Sequence, residues 1–273
     1  ARGIIRHFRP QVVAGFGGYA AFAPMLAARL AGVPTVLHEQ NAIAGMSNRI
    51  LGRLARRICL SLPGTEGFDA SRTVLTGNPV RAAVVALAGR QHDFSGKRLL
   101  VMGGSLGAHA LNVHVCRHLD ALRAAGIEVR HQTGVRDEAA TREAYAAAGY
   151  DPACVSAFID DMASAYAWAD LVLCRAGATT VAELCAAGLP SVLVPFPYAV
   201  HDHQTRNAQA LVAEGAALML PEARMESDGL MAQVTDLLQD TGRLRTMAAA
   251  ASGCARVRAA ELVAAELETV CAR

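Results

Sequence analysis

The sequence predicts an α/β protein built from two domains with parallel sheets. Three observations carry this. Short apolar, often β-branched runs alternate with helical patterns along the whole chain. The composition is 53% hydrophobic, 18% charged and only 5% aromatic, which suits strands buried on both faces by Ala-rich helices. The length, 273 residues, is enough for two domains of ordinary size.

The expected strands, in order, are Val12–Ala14, Thr35–Leu37, Arg57–Leu60, Thr73–Leu75, Leu99–Met102, Glu128–Gln132, Val155–Phe158, Leu171–Leu173 and Ser191–Val194. Helical patterns lie between most of them. The segment Ala88–Lys97 is polar and rich in turn residues, so the linker is expected there, between a domain at 1–92 and a domain at 97–273. Thr241–Ala272 reads as a long helical pattern, broken at Gly253, that packs back on the first domain.

Composition also excludes several classes. No apolar run approaches the ~20 residues of a membrane span, and the first residues, interrupted by charge, do not read as a leader. The seven cysteines (59, 116, 154, 174, 185, 254 and 271) are scattered without a Cys-x-x-Cys pair, as expected for reduced thiols. Net charge is +2, but residues 1–57 hold eight arginines against one acid, Glu39. That excess calls for an anionic partner. Nucleic acid is not expected, because no aromatic residues interleave the basic ones and no reader motif is present. A membrane surface fits better: Ile4, Ile5 and Phe8 lie beside Arg2, Arg6 and Arg9. After Gly45, Arg49, Arg53, Arg56 and Arg57 are expected on one helix face opposite Ile50, Leu54 and Ile58.

The most informative stretch is LVLCRAGATTVAELCAAGLPSVLVPFPYAVHDHQTRN, residues 171–207. A strand runs into a small-residue turn, and a helix starting near Thr179 or Thr180 carries Glu183 in its first turns. It stops at Gly188, and a second strand follows Pro190. This is a βαβ unit whose helix N-terminus suits a nucleotide phosphate. A carboxylate there makes sense if Glu183 accepts hydrogen bonds from a sugar diol. A second cradle, Gly103-Gly104-Ser105-Leu106-Gly107, follows a strand and opens a helix. Its glycines permit close approach to a pyrophosphate, and Ser105 offers a hydroxyl. His38-Glu39-Gln40-Asn41 sits at the carboxyl end of a buried strand, where α/β ligands bind, and such residues need partners there. Asp160 or Asp161 suits a helix cap. His201-x-His203 could ligate a metal, but two helix N-termini and Gly-rich loops already offset a diphosphate's charge, so no metal or other cofactor is expected.

Taken jointly, FIDDMASAYAWADLVLCRAGATTVAEL, AGLPSVLVPFP, HDHQTRNA, GFGGYAAFAP (15–24), LHEQNAIAGMSNR (37–49), GNPVR (77–81), VMGGSLGAHALN (101–112) and HQTG (131–134) resemble the bacterial glycosyltransferase family that builds lipid II. The resemblance covers nearly the whole chain. It implies a GT-B fold of two Rossmann-like domains, the N-terminal one incomplete here, since family members open with a Gly-rich loop that this sequence lacks. It implies a C-terminal domain that binds UDP-GlcNAc and an N-terminal domain that binds lipid I at the cytoplasmic face of the inner membrane. By resemblance, the backbone of Ala178, Thr179, Thr180, Val181 and Ala182 meets the donor diphosphate, Glu183 the ribose and Ile159 the uracil. Asn41 and Arg81 are implied to contact the donor, and Gly17, Gly18 and Tyr19 to lie on the acceptor side. Gln204 is expected to position the transferred sugar. The chain departs from the family pattern at Leu106, where most relatives have Gln, and at Ala176, often Ser.

The implied reaction is inverting: a base takes the proton from the muramyl 4-hydroxyl, and that oxygen displaces UDP from the anomeric carbon. With the usual base candidate in the missing loop, His38 and Glu39 stand as substitutes. The alternatives are a non-catalytic UDP-GlcNAc-binding protein that needs a separate N-terminal piece, and a nicotinamide-dependent oxidoreductase using Gly103–Gly107.

Overall fold

The structure, a computed structural model, describes residues 1–104, 107–199 and 202–272. The chain forms two compact units. The first comprises Ala1–Val80, Val200–Asn207 and Arg256–Arg273; the second comprises Arg81–Ala199 and Ala208–Ala255.

The first unit contains α1 (Arg2–Phe8), β1 (Val13–Gly15), α2 (Gly18–Leu30), β2 (Thr35–Glu39), α3 (Met46–Leu54), β3 (Arg57–Leu60) and β4 (Thr73–Leu75). The strands form a parallel sheet in the order β1-β2-β3-β4. Every residue of β2 is buried, as expected of a strand covered on both faces. Met25, Leu37, Leu51 and Ile58 pack together in one apolar layer.

The second unit adds α4 (Ala82–Val85), β5 (Arg98–Met102), α5 (His109–Cys116), α6 (Leu119–Ala124), β6 (Glu128–Gln132), α7 (Glu138–Ala147), β7 (Val155–Ser156), α8 (Met162–Trp168), β8 (Leu171–Cys174), α9 (Ala178–Ala187), β9 (Ser191–Leu193), α10 (His203–Ala213, assigned to the first unit up to Asn207), β10 (Ala217–Met219), α11 (Leu230–Gln239) and α12 (Thr241–Cys254). The sheet is parallel throughout, ordered β10-β9-β8-β5-β6-β7. Read along the chain, this is the doubly wound order, with the reversal between β5 and β8. Tyr145, Leu99, Leu171, Leu173 and Leu237 are among the residues of its main core.

The last helix, α13 (Ala259–Cys271), returns to the first unit, where Val263 and Val270 pack with Val36 and Cys59. The break before it falls at 255–258; Gly253 lies inside α12. Residues 81–97 lie in the second unit, anchored by Val84 and Phe94, both buried. The basic face expected after Gly45 does not extend as read. α3 ends at Leu54, Ala55 is extended, and Arg57 and Ile58 enter β3. Ile50 is exposed, and Leu51 fills the core in its place.

Candidate functional site

In a doubly wound sheet, ligands sit beyond the carboxyl ends of the strands at the order reversal. In the second unit a cavity of about 160 Å³ lies there. Met102 ends β5, Gln132 ends β6 and Cys174 ends β8, and all three line it, together with Gly104, Ile159, Thr180 and Glu183. Three strand termini and the first turn of α9 therefore converge on one space.

Glu183 is the charged centre. Its side chain is only 6% exposed, a position that demands partners. Arg81 donates from Nε (3.1 Å) and Nη2 (2.8 Å) to Oε1, and Tyr166 donates its hydroxyl to Oε2 at 2.9 Å. α9 starts at Ala178, so Glu183 stands in its second turn, beyond the reach of a first-turn dipole effect. Its partners are Arg81 and Tyr166. Burial, and the charge of Glu183 beside it, push the Tyr166 hydroxyl well above its usual range, which keeps it a donor.

The Gly-rich turn after β5 is fixed from below. Gly104 donates its N–H to Oε1 of Gln132 at 3.1 Å, while Gln132 Nε2 donates to the carbonyls of Gly104 (3.1 Å) and Ala157 (2.9 Å). A side chain at Gly103 would meet Ala108 N at 2.5 Å. At Gly107, where φ is +75°, it would meet the Thr133 carbonyl at 2.5 Å. Glycine at 103 and 107 thus permits close packing on Ala108 and Thr133, and one amide side chain holds Gly104. Ser105, Leu106 and His201 lie outside the described residues. Of the two candidate caps, Asp161 is the one used: its carboxylate accepts from Ser164 N at 3.0 Å and from Ser164 Oγ at 2.5 Å. Ile159 lines the cavity.

The expected residues of the first unit gather around β2. Glu39, 1% exposed, accepts four hydrogen bonds: from Asn41 N (3.0 Å) and Asn41 Nδ2 (3.2 Å) on Oε1, and from Gly45 N (3.2 Å) and Asn48 Nδ2 (2.7 Å) on Oε2. Asn41 Oδ1 accepts from Asn207 Nδ2 at 3.1 Å, and Asn207 Oδ1 accepts from Ala42 N at 2.9 Å. His38 is also buried. Its Nε2–H donates to the Gly77 carbonyl at 2.9 Å, its ring stacks on Phe16 at 5.2 Å, and burial holds its pKa below the usual value. Its Nδ1 finds no hydrogen-bond partner among the described residues. Glu39 and His38 therefore hold a loop and a strand end. Gly17 precedes α2, Gly18 opens it and Tyr19 is 93% exposed. Gln204 lies in α10, on its first-unit part.

Two residues of the second-unit site were not singled out from sequence. Tyr166 stands within the quoted FIDDMASAYAW segment and Gln132 within HQTG. A buried tyrosine one helix before a buried glutamate is a signal only once both are known to be buried.

Two Rossmann-like parallel sheets on one chain, with the ligand cavity at the reversal of the second, are the architecture of the GT-B glycosyltransferases. Residues 98–263 match the glycosyltransferase family 28 C-terminal domain, and residues 1–60 match the glycosyltransferase family 28 N-terminal domain. The chain belongs to this family, on the branch of the UDP-N-acetylglucosamine–N-acetylmuramyl-(pentapeptide) pyrophosphoryl-undecaprenol N-acetylglucosamine transferases. A relative so named from Nitratidesulfovibrio vulgaris (strain Hildenborough) is 53% identical over 267 residues, covering 96% of this chain and 73% of the relative. Another so named, from Lawsonia intracellularis, is 48% identical over 272 residues, covering 98% of this chain and 75% of the relative. The crystal structure of MurG from Acinetobacter baumannii aligns with a TM-score of 0.78 at 38% identity, covering 98% of this chain and 77% of that one.

Proposed function

We propose that this chain transfers N-acetylglucosamine, with inversion, from UDP-GlcNAc to the muramyl 4-hydroxyl of lipid I, yielding lipid II. The observation that carries the reading is the buried carboxylate of Glu183, held by Arg81 and Tyr166 at the order reversal of the second sheet. A buried anion is of no use to a diphosphate, but it is a fitting acceptor for a ribose diol. Each carboxylate oxygen has two lone-pair sites, and Tyr166 occupies one on Oε2. The start of α9 supplies backbone N–H groups for the departing diphosphate, and the Gly103–Gly107 turn is assigned beside it, where its glycines permit close approach. The bond from the anomeric carbon to the diphosphate breaks as the muramyl oxygen bonds to that carbon, and the hydroxyl proton goes to a base. Ile159 is assigned to the uracil and Gln204 to the transferred sugar.

Asn41, Gly17, Gly18 and Tyr19 are assigned to the first unit's part in the reaction. His38 and Glu39 are assigned positioning roles: Glu39 accepts hydrogen bonds from the loop that presents Asn41, and the His38 ring stacks on Phe16, next to Gly17. The first unit is also assigned to an anionic membrane surface at the cytoplasmic face. Ile4 (69% exposed) and Phe8 (76% exposed) stand out on α1 beside Arg2, Arg6 and Arg9, a pairing of apolar and basic groups that suits lipid. No helix among the described residues is long and apolar enough to cross a membrane.

The test is UDP release by this chain with UDP-GlcNAc and a soluble lipid I analogue, alongside calorimetric donor binding. Acceptor-dependent release supports transfer. Donor binding without release identifies a donor-binding protein, and absence of binding removes the reading.

A further inference from the structure

We propose that His114, His118 and Glu226 form a binding site for one divalent ion of the zinc class on the second unit, apart from the donor cavity. His114 lies in α5, His118 follows at the corner before α6, and Glu226 lies beyond β10, so the three are joined only by the fold. One donor atom from each lies within 4.8 Å of the other two. His114 Nδ1 and Glu226 Oε2 are 3.4 Å apart. Two ligands on a tetrahedral ion, each bonded at about 2.0–2.2 Å, stand roughly 3.4 Å from one another.

The imidazoles are set up for this role. His118 Nδ1–H donates to the His114 carbonyl at 2.9 Å, which fixes the tautomer and leaves a lone pair on Nε2. The two rings are 4.7 Å apart, centroid to centroid. His114 is 5% exposed, and its Nδ1 is the nitrogen turned toward Glu226. Glu226 is the exposed member, its side chain 72% exposed, with Oε2 already 3.4 Å from His114 Nδ1. The three residues line an open cleft of about 740 Å³, shared with His109, Arg117 and Tyr198. Two nitrogens and one carboxylate select zinc, nickel or copper over magnesium or calcium, which take shells of oxygen.

The experiment titrates the metal-stripped full chain with Zn2+ against a chromophoric chelator. It compares the unaltered chain with Glu226→Gln, His118→Ala and, as a control in the same cleft, His109→Ala. All are made in a Cys271→Ser background, because Cys271 is an exposed thiol. One equivalent should bind, unaffected by excess Mg2+ or Ca2+. Affinity should fall at least about tenfold in Glu226→Gln and in His118→Ala and stay unchanged in His109→Ala. Glu226 is exposed enough that its variant tests the site without threatening the fold, and circular dichroism of each stripped variant checks this. Unchanged affinity in both site variants, loss of binding on Cys271→Ser alone, or equal displacement by Mg2+ would each overturn the proposal.

Discussion

Tyr166 and Glu183, one helix apart in sequence, meet through a 2.9 Å hydrogen bond from the phenol to Oε2 of the carboxylate. Tyr166 is 1% exposed, so this bond is made out of water. It fixes one face of the carboxylate, while Arg81 fixes the other. Tyr166→Phe removes the bond and keeps the ring. A hydrogen bond to a charged group contributes about 1.5–3 kcal/mol, so UDP-GlcNAc affinity should fall roughly tenfold or more while kcat at saturating donor changes little. Calorimetry with UDP and steady-state kinetics check the split.

Arg81 is half exposed, unlike its partner: the two side chains are 53% and 6% exposed. Arg81→Ala should therefore cost about 1–3 kcal/mol of stability, because it strips two charge-assisted hydrogen bonds from a buried carboxylate, and should weaken donor binding. Combined with Tyr166→Phe, the two losses should not add, because both act through one carboxylate. Strict additivity in the double-mutant cycle would separate them.

Gly107→Ala tests the turn. The new methyl would enter at φ +75° and 2.5 Å from the Thr133 carbonyl. Left-handed backbone alone costs a non-glycine residue about 1–2 kcal/mol, and the clash adds to it. A fall in unfolding free energy of about 2–4 kcal/mol is expected, with weaker UDP binding. A variant of unchanged melting temperature would show that the turn relaxes freely.

Glu39→Gln distinguishes a positioning role from a base. Glutamine presents one acceptor oxygen and an NH2 where four donors now point. The loop from Gln40 to Gly45 should loosen, with a stability loss of about 1–3 kcal/mol and UDP affinity unchanged. A kcat loss with a normal melting temperature would instead support proton transfer at Glu39.

Acid should destabilise the fold through His131. Full burial pushes its pKa down to about 3, and its ring contacts Tyr145 Oη (3.0 Å) and Asn112 Oδ1 (3.1 Å). In the unfolded chain it titrates near 6.5. Between those values the unfolded state binds the extra proton, so stability rises with pH there. The contribution is complete above pH ~6.5 and is lost by about 1.4 kcal/mol per pH unit below it, down to pH ~3. Urea midpoints measured from pH 7 to pH 4 should fall along this slope, and less steeply in His131→Gln.

Strands of β-branched and leucine-rich sequence were legible because a buried parallel strand needs nothing but apolar runs. Arg57–Leu60, Thr73–Leu75 and Glu128–Gln132 stand where the pattern put them. β10 was not legible. Ala217-Leu218-Met219 carries no β-branched residue, and only its pairing with β9 makes it a strand. The helical reading through Arg56 and Arg57 failed at Ala55, where nothing local marks the stop. At the site, local chemistry announced Glu183 and the glycines. The partners that give them meaning, Tyr166 and Gln132, arrive through the fold. The same division holds for the metal site: His114 and His118 are four apart in sequence, but Glu226 is brought in by the chain's return after β10.

The return of α13 to the first unit has a consequence for synthesis. The strands β1 to β4 leave the ribosome before the second unit, yet Val36 and Cys59 gain Val263 and Val270 as neighbours only after Arg256–Arg273 has been made. The whole second unit is translated in the interval. These strands therefore wait for their cover, with an apolar face open to other chains. During that wait, aggregation competes with folding.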